Sequence, residues 1–202
     1  MDDVSRGVNY YKLSAATREQ REGDIAIQKR ALELLRERFG EAILTVQTVR
    51  DDITVTIRPD TLKEMLALLR DSDELKYNFL SSITGIDYMR YDIPEEWGEI
   101  RFGVVYNLFS LEKHANFAVR VVIPEGEPVP SIYDMWRTAD WQEREAYDLL
   151  GIEFAGHPDL RQLFLYDDFE GEHPQRKDYP LKGKGERDRS WLKIQKAARG
   201  ES

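Results

Sequence analysis

The chain has 202 residues, 41% of them hydrophobic and 33% charged, which suits one globular domain with some added chain. It contains no cysteine, so thiolate zinc sites, iron–sulfur ligation, disulfides and thiol nucleophiles are excluded from its own chemistry. The net charge of −9 splits into −13 over residues 1–170 (twenty Lys/Arg, thirty-three Asp/Glu) and +4 over residues 171–202 (nine against five), and an acidic body argues against nucleic acid.

Residues 1–23 are polar and without period, which predicts a loose N-terminal segment. Its opening Met-Asp-Asp-Val lacks the basic and apolar regions of a signal peptide. From Asp24, Ile27, Ala31, Leu34, Leu35 and Phe39 follow helical spacing, with Gly40 placed as a stop. Residues 43–49 and 53–58 are rich in β-branched side chains and flank Asp51-Asp52, the pattern of a hairpin. Pro59-Asp60 then opens a helix with Leu62, Met65, Leu66 and Leu69 on one face.

The middle of the chain is β-rich. Residues 77–91 carry Gly85, read as a bulge or bend, and residues 101–110 and 116–123 read as two long, mostly buried strands. An acidic turn at 93–98 and a Pro/Gly-rich loop at 124–130 punctuate them. A helix is expected over 131–150, with Asp140 and Glu143 spaced as a capping box and Gly151 as its terminator. After the Gly156-His157-Pro158 loop comes a short apolar patch at 160–165, then a basic, aperiodic stretch, with a final helical turn or two over 190–199. The fold class is α+β: one domain over 24–165, a mixed β-sheet packed by helices, followed by an extended basic C-terminal arm over 166–202. No run of about 18 apolar residues exists, so membrane association is expected to be indirect, through partner proteins.

Glu143, Glu145, Asp148, His157, Asp159 and His173 supply enough nitrogen and oxygen ligands for zinc or manganese, and a metal-dependent hydrolase is the chemistry they suggest. There is no HExxH spacing, however, and on a helix Glu143 and Asp148 lie roughly 140° apart. The plainer reading is a solvated or docking helix with Arg144 and Asp148 paired at i, i+4. His157 before Pro158 reads equally as a shaped turn whose imidazole bonds a backbone group or carboxylate. No G-x-S-x-G elbow is present, and Gly183-Lys184-Gly185 is neither a Walker loop nor a dinucleotide fingerprint. Trp136, Trp141 and Tyr147 read as core or interface residues. In HPQRKDYPL (173–181), Pro174 and Pro180 bracket Arg176, Lys177, Asp178 and Tyr179. Prolines pre-set an extended backbone, and Arg and Tyr are favoured interface residues, so this arm reads as made to lie on another protein.

EREAYDLLGIEFAGHPDLRQLF (143–164), followed by HPQRKDYPL, resembles the 30-kDa subunit family of respiratory complex I, the bacterial NADH-quinone oxidoreductase. The family pattern is matched at Glu143, Arg144, Glu145, Asp148, Leu149, Leu150, Gly151, Ile152, Gly156, His157, Pro158 and Leu160, with Arg161 next. VVYNLFS (104–110), VRVVIP (119–124) and VPSIYDMWRTADW (129–141) are similar to the family's preceding strands and helix entry, and the resemblance covers about residues 62–181. One departure is Glu172, which stands where the family has Gly directly before the second His-Pro and bears on the turn around His173.

The resemblance implies a chain without catalytic, cofactor or metal residues of its own. Such a chain belongs to the peripheral arm of a complex that moves electrons from NADH to quinone and translocates protons. Iron–sulfur clusters, FMN and quinone are then expected in partner subunits. The implied location is the cytoplasmic face of the bacterial membrane, beside the quinone-module and terminal-cluster subunits. Glu143, Glu145 and Asp148 become shaping and docking residues, and Arg176 and Lys177 are expected to pair with a partner's carboxylates. The same type of subunit also serves ferredoxin- or F420H2-fed relatives and membrane-bound hydrogenases.

Overall fold

In the computed structural model, residues 15–166, 169, 172–181 and 183 are described. The elements are α1 (Ala15–Phe39), β1 (Ile43–Val49), β2 (Asp52–Ile57), α2 (Leu62–Asp71), β3 (Phe79–Asp87), β4 (Phe102–Ser110), β5 (Ala115–Ile123), β6 (Val129–Pro130), α3 (Ala139–Leu150) and β7 (Phe154–Ala155). The fold is α+β, with a five-stranded mixed sheet in the order β1-β2-β5-β4-β3. Only the β2–β5 contact within it is parallel; the others are antiparallel.

Alternation along the strands sends one row of side chains to one face. Val55 pairs with Val119, Val119 with Tyr106 and Tyr106 with Ile83, so these four share that face. They join one core with Ala31 and Leu35 of α1, Leu62, Met65, Leu66 and Leu69 of α2, and Ala146 and Leu150 of α3. Each large aliphatic side chain buried this way contributes roughly 1.5–3 kcal/mol. Because β2 and β5 pair only over residues 54–57 and 118–121, neighbouring amides need other acceptors. The buried Gln28 takes the Ile53 N–H (2.7 Å) and Asp24 takes that of Asn116 (3.1 Å), tying α1 to the sheet.

Several expected boundaries shift, each for a local reason. The hairpin turns at Arg50-Asp51, both at positive φ (51° and 74°), one residue earlier than Asp51-Asp52. α1 begins at Ala15, so residues 15–23 are helical where the sequence suggests a loose segment. Ala, Arg, Glu and Gln dominate that stretch and favour helix without any apolar period to reveal it. α3 begins at Ala139 rather than 131, since the backbone before it is committed elsewhere. Val129 N–H donates to the Glu153 carbonyl and Ser131 N–H to that of Ala155, which sets the parallel β6–β7 pair.

Gly85 marks no bulge. The register shift of β3 falls between Leu80 and Ser82, where the Ile83 N–H is taken by Gln142 of α3. Gly85 instead allows a close approach: a Cβ there would overlap the Leu150 side chain, so its absence lets the end of α3 lie directly on the sheet. The turns expected over 190–199 lie outside the described residues.

Candidate functional site

α3 carries three buried charged side chains, Glu143, Arg144 and Asp148. A charged group that leaves water must find replacement partners, and each of these finds a different one. Glu143 accepts from the Ser131 hydroxyl (2.6 Å) and the Ile132 N–H (2.8 Å), fixing the chain that enters the helix. It is therefore not half of a capping box; Thr138 stands at the N-cap and makes no side-chain cap bond. Burial pushes the Glu143 carboxyl up to about 7, against the opposing pull of those two hydrogen bonds.

Arg144 and Asp148 do not pair with each other as their spacing suggests. The guanidinium lies over the Trp141 ring (5.3 Å) and donates to the carbonyls of Arg161 (3.3 Å) and Gln162 (3.0 Å). Asp148 Oδ2 accepts three successive backbone N–H groups, from Leu163 (3.0 Å), Phe164 (2.7 Å) and Leu165 (3.0 Å). Together they grip residues 161–165 by five hydrogen bonds, with the cation taking carbonyls and the anion taking amides. Hydrogen bonds to ionised groups are the stronger kind.

The two His-Pro dipeptides mark opposite ends of the same helix. At the first turn, the fully buried His157 ring receives the Asp159 N–H at Nδ1 (3.1 Å), which leaves Nε2–H to donate to the Asp140 carbonyl (3.3 Å). Nε2 also lies 3.5 Å from Asp140 Oδ1 and 4.0 Å from Glu143 Oε2. At the last turn, His173 Nδ1–H donates to the Asp148 carbonyl (2.8 Å). His157 and His173 therefore do not meet. Among the described residues, no three His, Asp or Glu side chains converge as a metal-ligand set. Asp159 pairs with Arg161 on the surface (2.9 Å), and Glu145 is exposed.

The described part of the arm, residues 172–181, runs in turns across the C-terminal end of α3. A helix end leaves carbonyls without partners, and the arm supplies three donors in succession. His173 takes the carbonyl of Asp148, Gln175 N–H that of Leu149 (3.0 Å) and Arg176 Nε–H that of Leu150 (2.7 Å). Arg176 also pairs with Glu125 (2.7 Å) and lies over the Phe102 ring (5.1 Å), so it has partners within this chain. A positive group is favoured there by the helix dipole as well. Gly151 makes room for this arrangement, since its φ of 74° ends the helix and a Cβ would collide with His173 and Arg176.

The next residues reach the sheet. Lys177 N–H donates to Asp87 Oδ2 (2.7 Å), while the Lys177 residue itself is exposed. Arg101 pairs with the buried Asp87 (3.0 Å) and with Asp178 (3.0 Å).

A comparison with known families places this geometry. The family described as "Respiratory-chain NADH dehydrogenase, 30 Kd subunit" matches residues 55–185, more than half of the chain. The chain belongs to that family. Similar relatives include the C subunit of NADH-quinone oxidoreductase from Geotalea uraniireducens, 42% identical over 161 residues (79% of this chain, 92% of the relative). Another is the C subunit of the same enzyme from Salinispora arenicola, 42% identical over 154 residues (76% of this chain, 60% of the relative). Among solved structures, a chain of the membrane-bound sulfane sulfur reductase, an archaeal respiratory membrane complex, has the same fold. The TM-score is 0.54 at 21% identity, over 76% of this chain and 85% of the other.

In this 30-kDa-family chain, residues 143–164 and the arm brace the surroundings of α3. Glu143 holds residues 131–132, Arg144 and Asp148 hold 161–165, His157 closes the Gly156-His157-Pro158 turn on the first helical turn, and the arm caps the last. Gly156 sits at φ 84°, where a side chain is disfavoured. Trp136 is core, with its indole N–H on the Asn78 carbonyl (3.0 Å), whereas Trp141 is 62% exposed. Asp87, Arg101 and Glu125, the receptors of the arm, are not singled out by the sequence motifs. A usable signal exists for Asp87: it falls on the inward row of β3 with Leu80, Ile83 and Gly85, where a carboxylate requires a partner. Among the described residues, no helix is long and apolar enough to cross a membrane.

Proposed function

We propose that this chain is a non-catalytic subunit of the peripheral arm of a proton-translocating NADH:quinone oxidoreductase, supporting the subunits that carry the terminal cluster and the quinone. The observation that carries the reading is the use made of the motif charges. Glu143, Arg144 and Asp148 are buried, and all three direct their hydrogen bonds to fixing backbone loops. Those are the contacts of a brace that holds surfaces in shape. Family membership supplies the complex in which such surfaces act. FMN, iron–sulfur clusters and quinone then belong to partner subunits. The chain sits on the cytoplasmic face of the membrane through those partners, without a lipid contact of its own.

The test is affinity capture of the tagged chain from gently solubilised membranes, with partners identified by mass spectrometry. Recovery with quinone-module, cluster-bearing and NADH-binding subunits is the expected result. Recovery with ferredoxin- or F420H2-handling or hydrogenase subunits would move the chain to a related complex. A chain recovered alone would refute the assembly reading.

A further inference from the structure

The grip on residues 161–165 holds a loop that shows aromatic rings to water beside the exposed Gln162 and an Arg161 already paired with Asp159 (2.9 Å). Phe164 is 60% exposed and Tyr166 72%, and Trp141, bound to the same guanidinium that takes two of the loop's carbonyls, is 62% exposed. Large aromatic groups facing water on a fixed backbone are costly unless another surface covers them. Two buried charged residues are committed to fixing the backbone that bears Phe164. Holding a loop in its bound shape before binding removes part of the ordering cost of association.

Charge narrows what covers it. From Phe164 onward the sequence reads FLYDDFEGE, with Asp167, Asp168, Glu170 and Glu172 and no basic residue. Residues 1–170 as a whole carry −13, from twenty basic and thirty-three acidic side chains. A second copy of this chain would bring like charge, and an anionic lipid surface would repel the segment. A protein surface with an apolar pocket and a basic rim fits both features.

We infer that the loop bearing Phe164 and Tyr166, together with Trp141, is a preformed docking surface for another subunit of the complex, which receives the aromatic rings in an apolar pocket rimmed by Lys or Arg. This rests on the proposed function and adds the site and the chemistry of the partner. Trp, Tyr and Phe in such positions tend to dominate interface energetics, the first two most of all.

The experiment uses the complex as it assembles in membranes. A photoreactive benzoylphenylalanine is introduced at Tyr166, and the purified complex is irradiated. Alongside it, Phe164→Ala/Tyr166→Ala is compared with Val49→Ala, which alters an exposed apolar residue of the β1 strand instead. The surface predicts a crosslink to a peptide of another subunit that contains Lys or Arg beside apolar residues. It also predicts a drop of roughly tenfold or more in co-purification for the double variant, weaker still at high salt. The isolated double variant keeps the wild-type circular dichroism and thermal midpoint, and Val49→Ala co-purifies normally. A crosslink to lipid, to a second copy, or to nothing would overturn the inference, as would normal assembly of the double variant. If the wild-type chain itself recovers no complex subunits, the proposed function fails and this inference with it.

Discussion

Removing the Asp148 carboxylate should unlatch one loop and cost a large share of the domain's stability. Its Oδ2 accepts from Leu163, Phe164 and Leu165 at 2.7–3.0 Å, and the side chain is buried. A hydrogen bond to a charged group contributes roughly 1.5–3 kcal/mol net. Three donors share one oxygen, and water reaches the outer side of the loop, so the sum is nearer two full bonds, about 4 kcal/mol. For a domain of this size that corresponds to a fall in midpoint of about 8–16 °C for Asp148→Ala. Asp148→Asn keeps an acceptor but loses the charge, and should fall about half as far. Urea and thermal denaturation of the purified chain give the totals. Hydrogen exchange at the amides of residues 163–165 locates the change, and all three should exchange faster. An Asp148→Ala variant within about 0.5 kcal/mol of wild type, or one destabilised with those amides still protected, would contradict this role of Asp148.

Three further outcomes follow from the same geometry. Arg176→Ala should cost about 1–3 kcal/mol and expose residues 172–181 to protease, whereas Lys177→Ala should stay within about 0.5 kcal/mol, because among the described residues only the Lys177 backbone is engaged; equal effects would contradict this. Gly151→Ala combines a positive φ with a collision against His173 and Arg176 and should cost about 2 kcal/mol or more, read by the same denaturation series together with faster exchange at Arg176. Glu143 is a carboxyl whose folded pKa, about 7, lies above its ordinary value of 4.5, so the folded state holds the extra proton between those values. Its contribution to stability is present in full below about 4.5, declines as pH rises to about 7 and is then constant, a change on the order of 3 kcal/mol. Glu143→Gln keeps both contacts, accepting from Ile132 and donating to Ser131, and should flatten that part of the stability–pH curve.

Periodicity makes α2, β4 and β5 legible, because each buries one face and advertises it every second or third residue. The start of α1 is hidden by the same logic: residues 15–23 are helical through propensity and show no apolar rhythm. The start of α3 is displaced from its expected position because β6 pairs with β7, a distant contact in sequence that competes for the backbone of 129–131. At the site, spacing alone suggests that Arg144 meets Asp148, since residues four apart on an exposed helix do meet. Burial changes the outcome by giving both groups stronger backbone partners in residues 161–165. The arm's prolines and charges stand out in the sequence, but they do not say which carboxylate they serve. Glu125 and the α3 carbonyls lie close enough to bind Arg176 within the chain, leaving Lys177 exposed.

Under the proposed function, the motif charges brace the subunit and take no part in the chemistry of the complex. Turnover of NADH:quinone reductase per assembled complex, measured for Glu143→Gln and Asp148→Asn after quantifying assembly on native gels, tests it most directly. The amount of assembled complex is expected to fall for Asp148→Asn and to stay near wild type for Glu143→Gln, which keeps both of its contacts, while turnover per complex stays at the wild-type value for both. Full assembly with turnover lost would contradict it and make those carboxylates part of the reaction.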